Sequence, residues 1–247
     1  MISITLKKWL GIPHPCEAPS SIFIGLIGGV GDLISAAPSV VALKKKYPDA
    51  QITFGVGDGI FFNTIKNDPN IDHFETPFFY NVWKKRARRK TYREKYREHD
   101  QVFLLDNGTY DWWKPRKHLL DIYAEKCGVS LKERRPIIYL NDNDFEEAKK
   151  KLNELGISDN DKFIVLSPET RSKKKMKEWP YDRFLSLIQK IRQNHDFEIV
   201  TLVSKENPYN YDGTIPLKGY PLGPSAAMIS RSNFYLGLDN GLTHIAS

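Results

Sequence analysis

The sequence predicts an α/β protein made of two doubly wound parallel layers, and three observations predict it. Short apolar runs recur along the chain: SIFIGLI (residues 21–27), QITFGV (51–56), FIVL (163–166) and EIVTLV (198–203). SIFIGLI is apolar on both alternations, as a strand of a parallel sheet must be when helices cover both of its faces. SIFIGLI and FIVL are each followed by a turn or loop, a helical pattern and a further strand, which is the β–turn–α–β signature of doubly wound layers. Finally, the whole pattern starts again after residue 142.

The elements follow in order. Residues 21–27 form the first strand, and a glycine turn follows it. Leu33, Ala36, Ala37, Val40, Val41 and Leu43 then recur at helical spacing as far as Lys46, and Pro48 stops that helix. Residues 51–56 and 101–105 (QVFLL) are the second and third strands. Residues 117–127 read as a helix, and PIIYL (136–140) as a further short strand. A polar helix over 143–155 is capped by Asn141, Asp142 or Asn143 and closed by Gly156. After a turn at 159–161, FIVL opens a strand, residues 184–193 a helix, EIVTLV a strand, and NFYLGL (233–238) another. That last strand runs into DNGLTHIAS. The boundary falls near residues 141–158. It divides the chain into an N-terminal Rossmann-like domain (1–142) and a C-terminal one (143–247), with a ligand cleft expected between the carboxyl ends of their strands. With three clear strands, the second domain reads as incomplete.

Composition narrows the chemistry. The chain has 247 residues, 40% of them hydrophobic and 27% charged, with a formal net charge of +7. No apolar run approaches the roughly 18 residues of a spanning helix, and the opening MISITLKKWLGIPHP is too short in apolar residues for a signal peptide. Cys16 and Cys127, the only cysteines, fit neither a disulfide framework nor a zinc spacing, so a reducing cytoplasm is expected. The six histidines (14, 73, 99, 118, 195 and 244) show no metal-ligand spacing, and no metal site is expected. No G-x-S-x-G or Cys/His arrangement suggests a covalent hydrolase. The positive charge favours anionic partners: phosphorylated substrates, anionic lipid or nucleic acid.

Three loops carry candidate chemistry. GGVGD (28–32) lacks the dinucleotide fingerprint, because Ile34 stands where the third glycine belongs. Asp32 has two readings there, a cap for the following helix or a general base at the carboxyl end of a strand. SPETRSKKKMKEWP (167–180) brings Thr170, Arg171 and four lysines into a loop position that binds ligands in α/β sheets; its plain reading is a solvated basic loop. Asp239-Asn240-Gly241-Leu242-Thr243-His244 follows a strand and opens a helix, either as an anion site or as an ordinary cap. The basic run KKRARRKTYREKYR (84–97, from Lys84 to Arg97) reads as a solvated helix or as a contact for an anionic membrane surface. Phe78, Phe79, Tyr80, Trp112 and Trp113 are candidates for sugar stacking or for the core.

Four blocks, taken in order, resemble glycosyltransferase family 9, the ADP-heptose:lipopolysaccharide heptosyltransferases. They are GDLISAAPSVVALKKKYPDAQI, KHLLDIYAEKCGV, SPETRSKKKMKEWP and DNGLTHIAS. The resemblance implies a GT-B fold, with the acceptor on the first domain and the nucleotide sugar on the second. It implies inverting, metal-independent transfer of a heptose-like sugar from an ADP-linked donor to a saccharide or lipopolysaccharide-type acceptor, with no cofactor. It also implies a cytoplasmic enzyme, peripheral to the inner face of the membrane. Asp32, beside Gly31, matches the family's base. Lys177 matches the lysine that offsets the departing diphosphate, and Thr170 a phosphate contact. Asp239, Gly241, Thr243 and His244 match the D-x-G-x-x-H segment that holds pyrophosphate, and Glu206 an acidic residue on the ribose. The chain departs from the family at Asn240, where Ser or Thr is usual, and in the extra lysines Lys174 and Lys175. The family also continues past D-x-G-x-x-H, so a non-catalytic nucleotide-sugar or glycan-binding remnant is a second reading, separated from the first by whether sugar is transferred. A nucleic-acid module acting through residues 84–97 is a third, and no nucleic-acid partner is expected; steeply salt-dependent binding would mark it.

Overall fold

A computed structural model of the chain describes residues 18–78, 94–105, 117–170 and 174–247, with residues 174 and 175 by backbone alone. Arg171, Cys16, Phe79, Tyr80, Trp112, Trp113 and residues 84–93 of the basic run lie outside the described residues.

The first sheet contains β1 (Ser21–Leu26), β2 (Gln51–Gly55), β3 (His73–Glu75) and β4 (Gln101–Leu105), in the order β3-β2-β1-β4. All its pairings are parallel, with Ile24 opposite both Phe54 and Phe103. Helix α1 (Val30–Lys46) packs with α3 (Leu119–Cys127), and α2 (Ile60–Ile65) follows β2. Strand β1 is buried on both faces, as a central parallel strand should be. Ile22, Ile24 and Leu26 meet Leu33, Val40 and Tyr123 on one side. On the other, Phe23 packs with Phe78 and stacks on Tyr96, ring centroids 3.8 Å apart. Tyr96, near the end of the basic run, and Phe78 are therefore core residues, not part of a solvated or sugar-stacking surface.

The second sheet repeats the plan. Strands β5 (Phe163–Ser167), β6 (Glu198–Val203), β7 (Ile215–Lys218) and β8 (Phe234–Gly237) run parallel in the order β7-β6-β5-β8. Helices α4 (Asp142–Glu154) and α7 (Leu222–Arg231) cover one face, packing Leu152 and Met228 over Phe163, Val165 and Val200. On the other face α6 (Tyr181–Asn194) buries Phe184 and Ile188 against Leu166 and Ile199. Two short helices complete it, α5 (Lys174–Lys177) and α8 (Gly241–Ile245). The sheet has four strands, as the first does, and the one the sequence did not announce is β7. Its Pro216 suits an edge strand and hides it from pattern reading.

PIIYL (136–140) is the element that the sequence mispredicts. It pairs with neither sheet but forms an extended link between the two halves. The Ile137 N–H donates to the Ile34 carbonyl on α1, and the Asn70 amide reaches the Tyr139 hydroxyl at 3.1 Å. Among the candidate caps of α4 the structure selects Asn141. Its side chain accepts from the Asp144 N–H at 3.0 Å while the Asp144 carboxylate accepts from the Asn141 N–H at 3.0 Å. Asn141→Ala is expected to lower unfolding stability by about 1 kcal/mol, read from the urea midpoint with an unchanged slope.

Candidate active site

In both sheets the strand order reverses beside the first strand, between β1 and β4 and between β5 and β8. Loops at such switch points leave a crevice at the carboxyl ends of the strands. Residues 27–32 follow β1, residues 168–180 follow β5, and residues 238–244 follow β8. The three sequence-predicted loops thus sit where the topology makes room for a ligand.

Asp32 fills the first of its two expected roles, that of a cap. It is the third residue of α1, whose N-cap is Gly29. Its Oδ2 accepts from the Gly29 N–H at 2.7 Å, satisfying an amide that the helix leaves unpaired. Its Oδ1 accepts from the Tyr123 hydroxyl at 3.3 Å, and Tyr123 is fully buried. Asp32 itself is only half-buried, so a held carboxylate remains open to a reactant. Tyr123 was missed as a site residue because its helical register marks it as core, and it is core in every atom but its hydroxyl.

In this turn Gly31 serves a close approach. A Cβ on Gly31 would lie 2.4 Å from His244 Cδ2, and one on Gly241 would lie 2.8 Å from Val30 Cβ. The first turns of α1 and α8 therefore meet across the two halves, with Asp32 on one side of the contact and the 239–244 turn on the other.

In the second half, Lys177 Nζ lies 2.5 Å from Asp239 Oδ2, and His244 Nε2 lies 3.6 Å from Asp239 Oδ1. The hydrogen bond from the Lys177 ammonium holds the Asp239 carboxyl below the usual carboxylate range; partial burial opposes this, and the charges of Lys177 and His244 add to it. The buried Thr170 donates its hydroxyl to the Asp239 carbonyl at 3.2 Å. Asn240 caps α8 by accepting from the Thr243 N–H at 3.0 Å. Its amide nitrogen donates to Ser167 Oγ at 2.9 Å and to the Glu169 carbonyl at 2.7 Å. Thr243 donates to the Leu238 carbonyl, while Leu242 turns away to pack on the second core.

Glu169 is the other residue that sequence reading missed. Its carboxylate accepts from the Ser204 N–H at 2.5 Å, the Ser204 hydroxyl at 3.1 Å and the Asn207 amide at 2.5 Å. It thereby binds the loop after β5 to the loop after β6. The acid in SPET was visible, but nothing in the sequence pattern pointed to its partners 35 and 38 positions later.

The structure thus gathers Gly31, Asp32, Thr170, Lys177, Asp239, Asn240, Gly241, Thr243 and His244. It does not bring Glu206 to them. Glu206 is exposed and lines a separate cavity of about 590 Å³ between the halves, which none of those residues lines. Among the described residues no group of three His, Cys, Asp or Glu side chains is placed to hold a metal ion.

Two outcomes follow from this geometry. Gly31→Ala should drive the halves apart, seen as a larger radius of gyration in solution scattering, and adding His244→Ala should restore the native value. The Asp239 carboxyl should titrate below about 3.9, the usual aspartate value. The Lys177 pair is then present above that value and is lost as pH falls through the depressed one. In Lys177→Ala the carboxyl ¹³C titration of Asp239 should move upward.

No protein-family profile matches the sequence, and no curated protein matches it. Solved structures do. A family 9 glycosyl transferase from Veillonella parvula is similar over 92% of this chain and 77% of its own, with a TM-score of 0.69 at 18% identity. The ADP-heptose lipopolysaccharide heptosyltransferase II of E. coli is similar over 92% of this chain and 81% of its own, with a TM-score of 0.58 at 14% identity. The E. coli heptosyltransferase WaaC, solved with ADP, is similar over 92% of this chain and 83% of its own, with a TM-score of 0.59 at 16% identity. The chain therefore has the GT-B fold of these glycosyltransferases, two Rossmann-like halves each built on a parallel four-stranded sheet.

Proposed function

We propose that the chain is a family 9-type glycosyltransferase, moving a sugar from a nucleotide diphosphate donor to a saccharide or glycolipid acceptor. The meeting of α1 and α8 carries this reading. It sets a held carboxylate, Asp32, on one half against the Lys177–Asp239–His244 group on the other. Transfer needs that division: a base for the acceptor hydroxyl on one side and positive charge for the departing diphosphate on the other. The acceptor oxygen bonds to the anomeric carbon as the carbon–oxygen bond to the diphosphate breaks, and the acceptor proton passes to Asp32. A single displacement of this kind inverts the anomeric centre. Lys177 releases Asp239 to meet the diphosphate, supplying its positive charge without a metal ion or cofactor.

An ADP-linked heptose is the donor we favour, supported by the ADP held in the similar WaaC structure. A lipopolysaccharide-type acceptor fits the same likeness, and the site of action would be the cytoplasmic face of a membrane. Among the described residues no helix is long and apolar enough to cross a membrane. Burial pushes the Cys127 thiol up to about 12, which keeps it unreactive.

The test is transfer from ADP-, UDP- and GDP-sugars to truncated lipopolysaccharide acceptors, with Asp32→Asn alongside. Loss of a general base should lower the rate by about 100-fold or more, with nucleotide binding retained. Full transfer by Asp32→Asn would remove Asp32 from this role. Nucleotide binding without transfer to any acceptor would make the chain a binding protein.

A further inference from the structure

Between β6 and β7 the chain reads NPYNYDG over residues 207–213. Tyr211 is a core residue, buried with Leu166, Phe184 and Val203. Tyr209 is not, being 49% exposed, yet it is held in place. Its ring stacks on Tyr181, centroids 4.5 Å apart and planes 19° from parallel. Its N–H donates to Asn207 Oδ1 at 2.8 Å, and the Asn207 amide is itself held by the Glu169 carboxylate. The Tyr181 hydroxyl donates to the Asn210 carbonyl, which fixes the loop from its other side. The rings continue through Phe184 to Trp179, which is 43% exposed and meets Phe184 edge-on at 4.9 Å. Trp179, Tyr181 and Tyr209 are not among the residues that line the cavity between the halves. They belong to the sheet face covered by α6, opposite the face covered by α4 and α7.

A ring fixed at the surface by stacking and hydrogen bonds has recognition chemistry. Tyrosine offers a broad amphipathic contact at little conformational cost, and asparagine offers adaptable hydrogen bonding. Tyr181 takes one face of Tyr209, and the exposed remainder presents the negative side of the ring quadrupole. The C–H groups on the flat face of a pyranose carry partial positive charge and meet such a ring as weak hydrogen-bond donors. Next in the loop, the Asn210 amide donates to Asp212 Oδ1 at 2.6 Å, and both side chains are exposed. An amide beside a carboxylate offers both donor and acceptors to sugar hydroxyls. Residues 207–213 carry one carboxylate and no lysine or arginine. That composition suits a neutral, hydroxyl-rich ligand and not an anionic surface.

We propose that Tyr209, with Trp179, Asn210 and Asp212, forms a saccharide-docking site on the second half, outside the crevice that holds Asp32 and Asp239. Its ligand is a neutral stretch of glycan, bound by stacking on the ring and by hydrogen bonds to the amide–carboxylate pair. This goes beyond the transferase reading, which gives these rings no part, and it requires no transfer. Where the same glycan also reaches the crevice, docking raises its effective concentration there.

The experiment is titration of the 247-residue chain with maltohexaose, cellohexaose and deacylated lipopolysaccharide core, followed by calorimetry and saturation-transfer NMR. It is repeated on Tyr209→Ala, Tyr209→Phe and Asn210→Ala, with melting temperatures measured alongside. The expected result is binding of at least one saccharide, weakened about tenfold in Tyr209→Ala, kept in Tyr209→Phe and weakened in Asn210→Ala. If Tyr209→Ala melts early, Tyr209→Leu takes its place, since it keeps an apolar contact on Tyr181 and removes the π face. Saccharide binding that is unchanged in Tyr209→Ala would put the glycan elsewhere, overturning this inference and leaving the transferase reading standing. Absence of binding to all three saccharides would also overturn it. So would Tyr209-dependent binding to phosphatidylglycerol vesicles without saccharide binding, which would make the rings a membrane contact.

Discussion

The contact between the first turns of α1 and α8 is the constraint on which the rest of the site depends. Each turn follows a strand at the reversal point of its own sheet, so topology alone brings each to the edge of its half. What brings the two edges together is the missing pair of Cβ atoms at Gly31 and Gly241. Remove that freedom and Asp32 and His244 belong to separate surfaces. The usual function of glycines after a first strand is to admit a phosphate to the backbone. Here they admit the other half of the protein.

A second consequence concerns charge. Asp239 is held by Lys177 and approached by the His244 imidazole, so both side chains are preorganised around a carboxylate, although they stay partly open to water. On the proposed reading, a diphosphate reaching Lys177 has to displace one surface ion pair of modest strength. The scaffold beneath is made of neutral, partly buried hydrogen bonds: Thr170 to the Asp239 carbonyl, and Asn240 to Ser167 and the Glu169 carbonyl. Rigidity comes from hydrogen bonds that do not compete with the ligand.

Much of this was legible in the sequence, and the reasons are specific. Strands β1, β5 and β6 announce themselves because both faces are buried and nearly every residue is apolar. The turns at Asp32 and at 239–244 were legible because each directly follows a strand, and Lys177 because SPETRSKKKMKEWP resembles the family's block. The short strands β3 and β7 were not, since HFE and IPLK carry too few apolar positions for a period to show. Residues 136–140 were misread because an apolar run of five packs equally well as a strand or as a covered link, and only pairing partners decide. Glu169 and Tyr123 were invisible for a different cause: their significance lies in partners far along the chain, 35 positions away for Ser204 and 91 for Asp32.

The link at residues 136–140 is anchored at both of its ends. Up to Tyr139 it is tied to the first half, through Ile137 to α1 and through the Asn67 and Asn70 side chains to Tyr139. From Asn141 onward it is tied to the second, as the cap of α4, with Leu140 packed on that half's core. Very little backbone is left between the two anchorages. Rotation of one half against the other is therefore concentrated in the torsions around Tyr139 and Leu140, as in a door hung on a single pin.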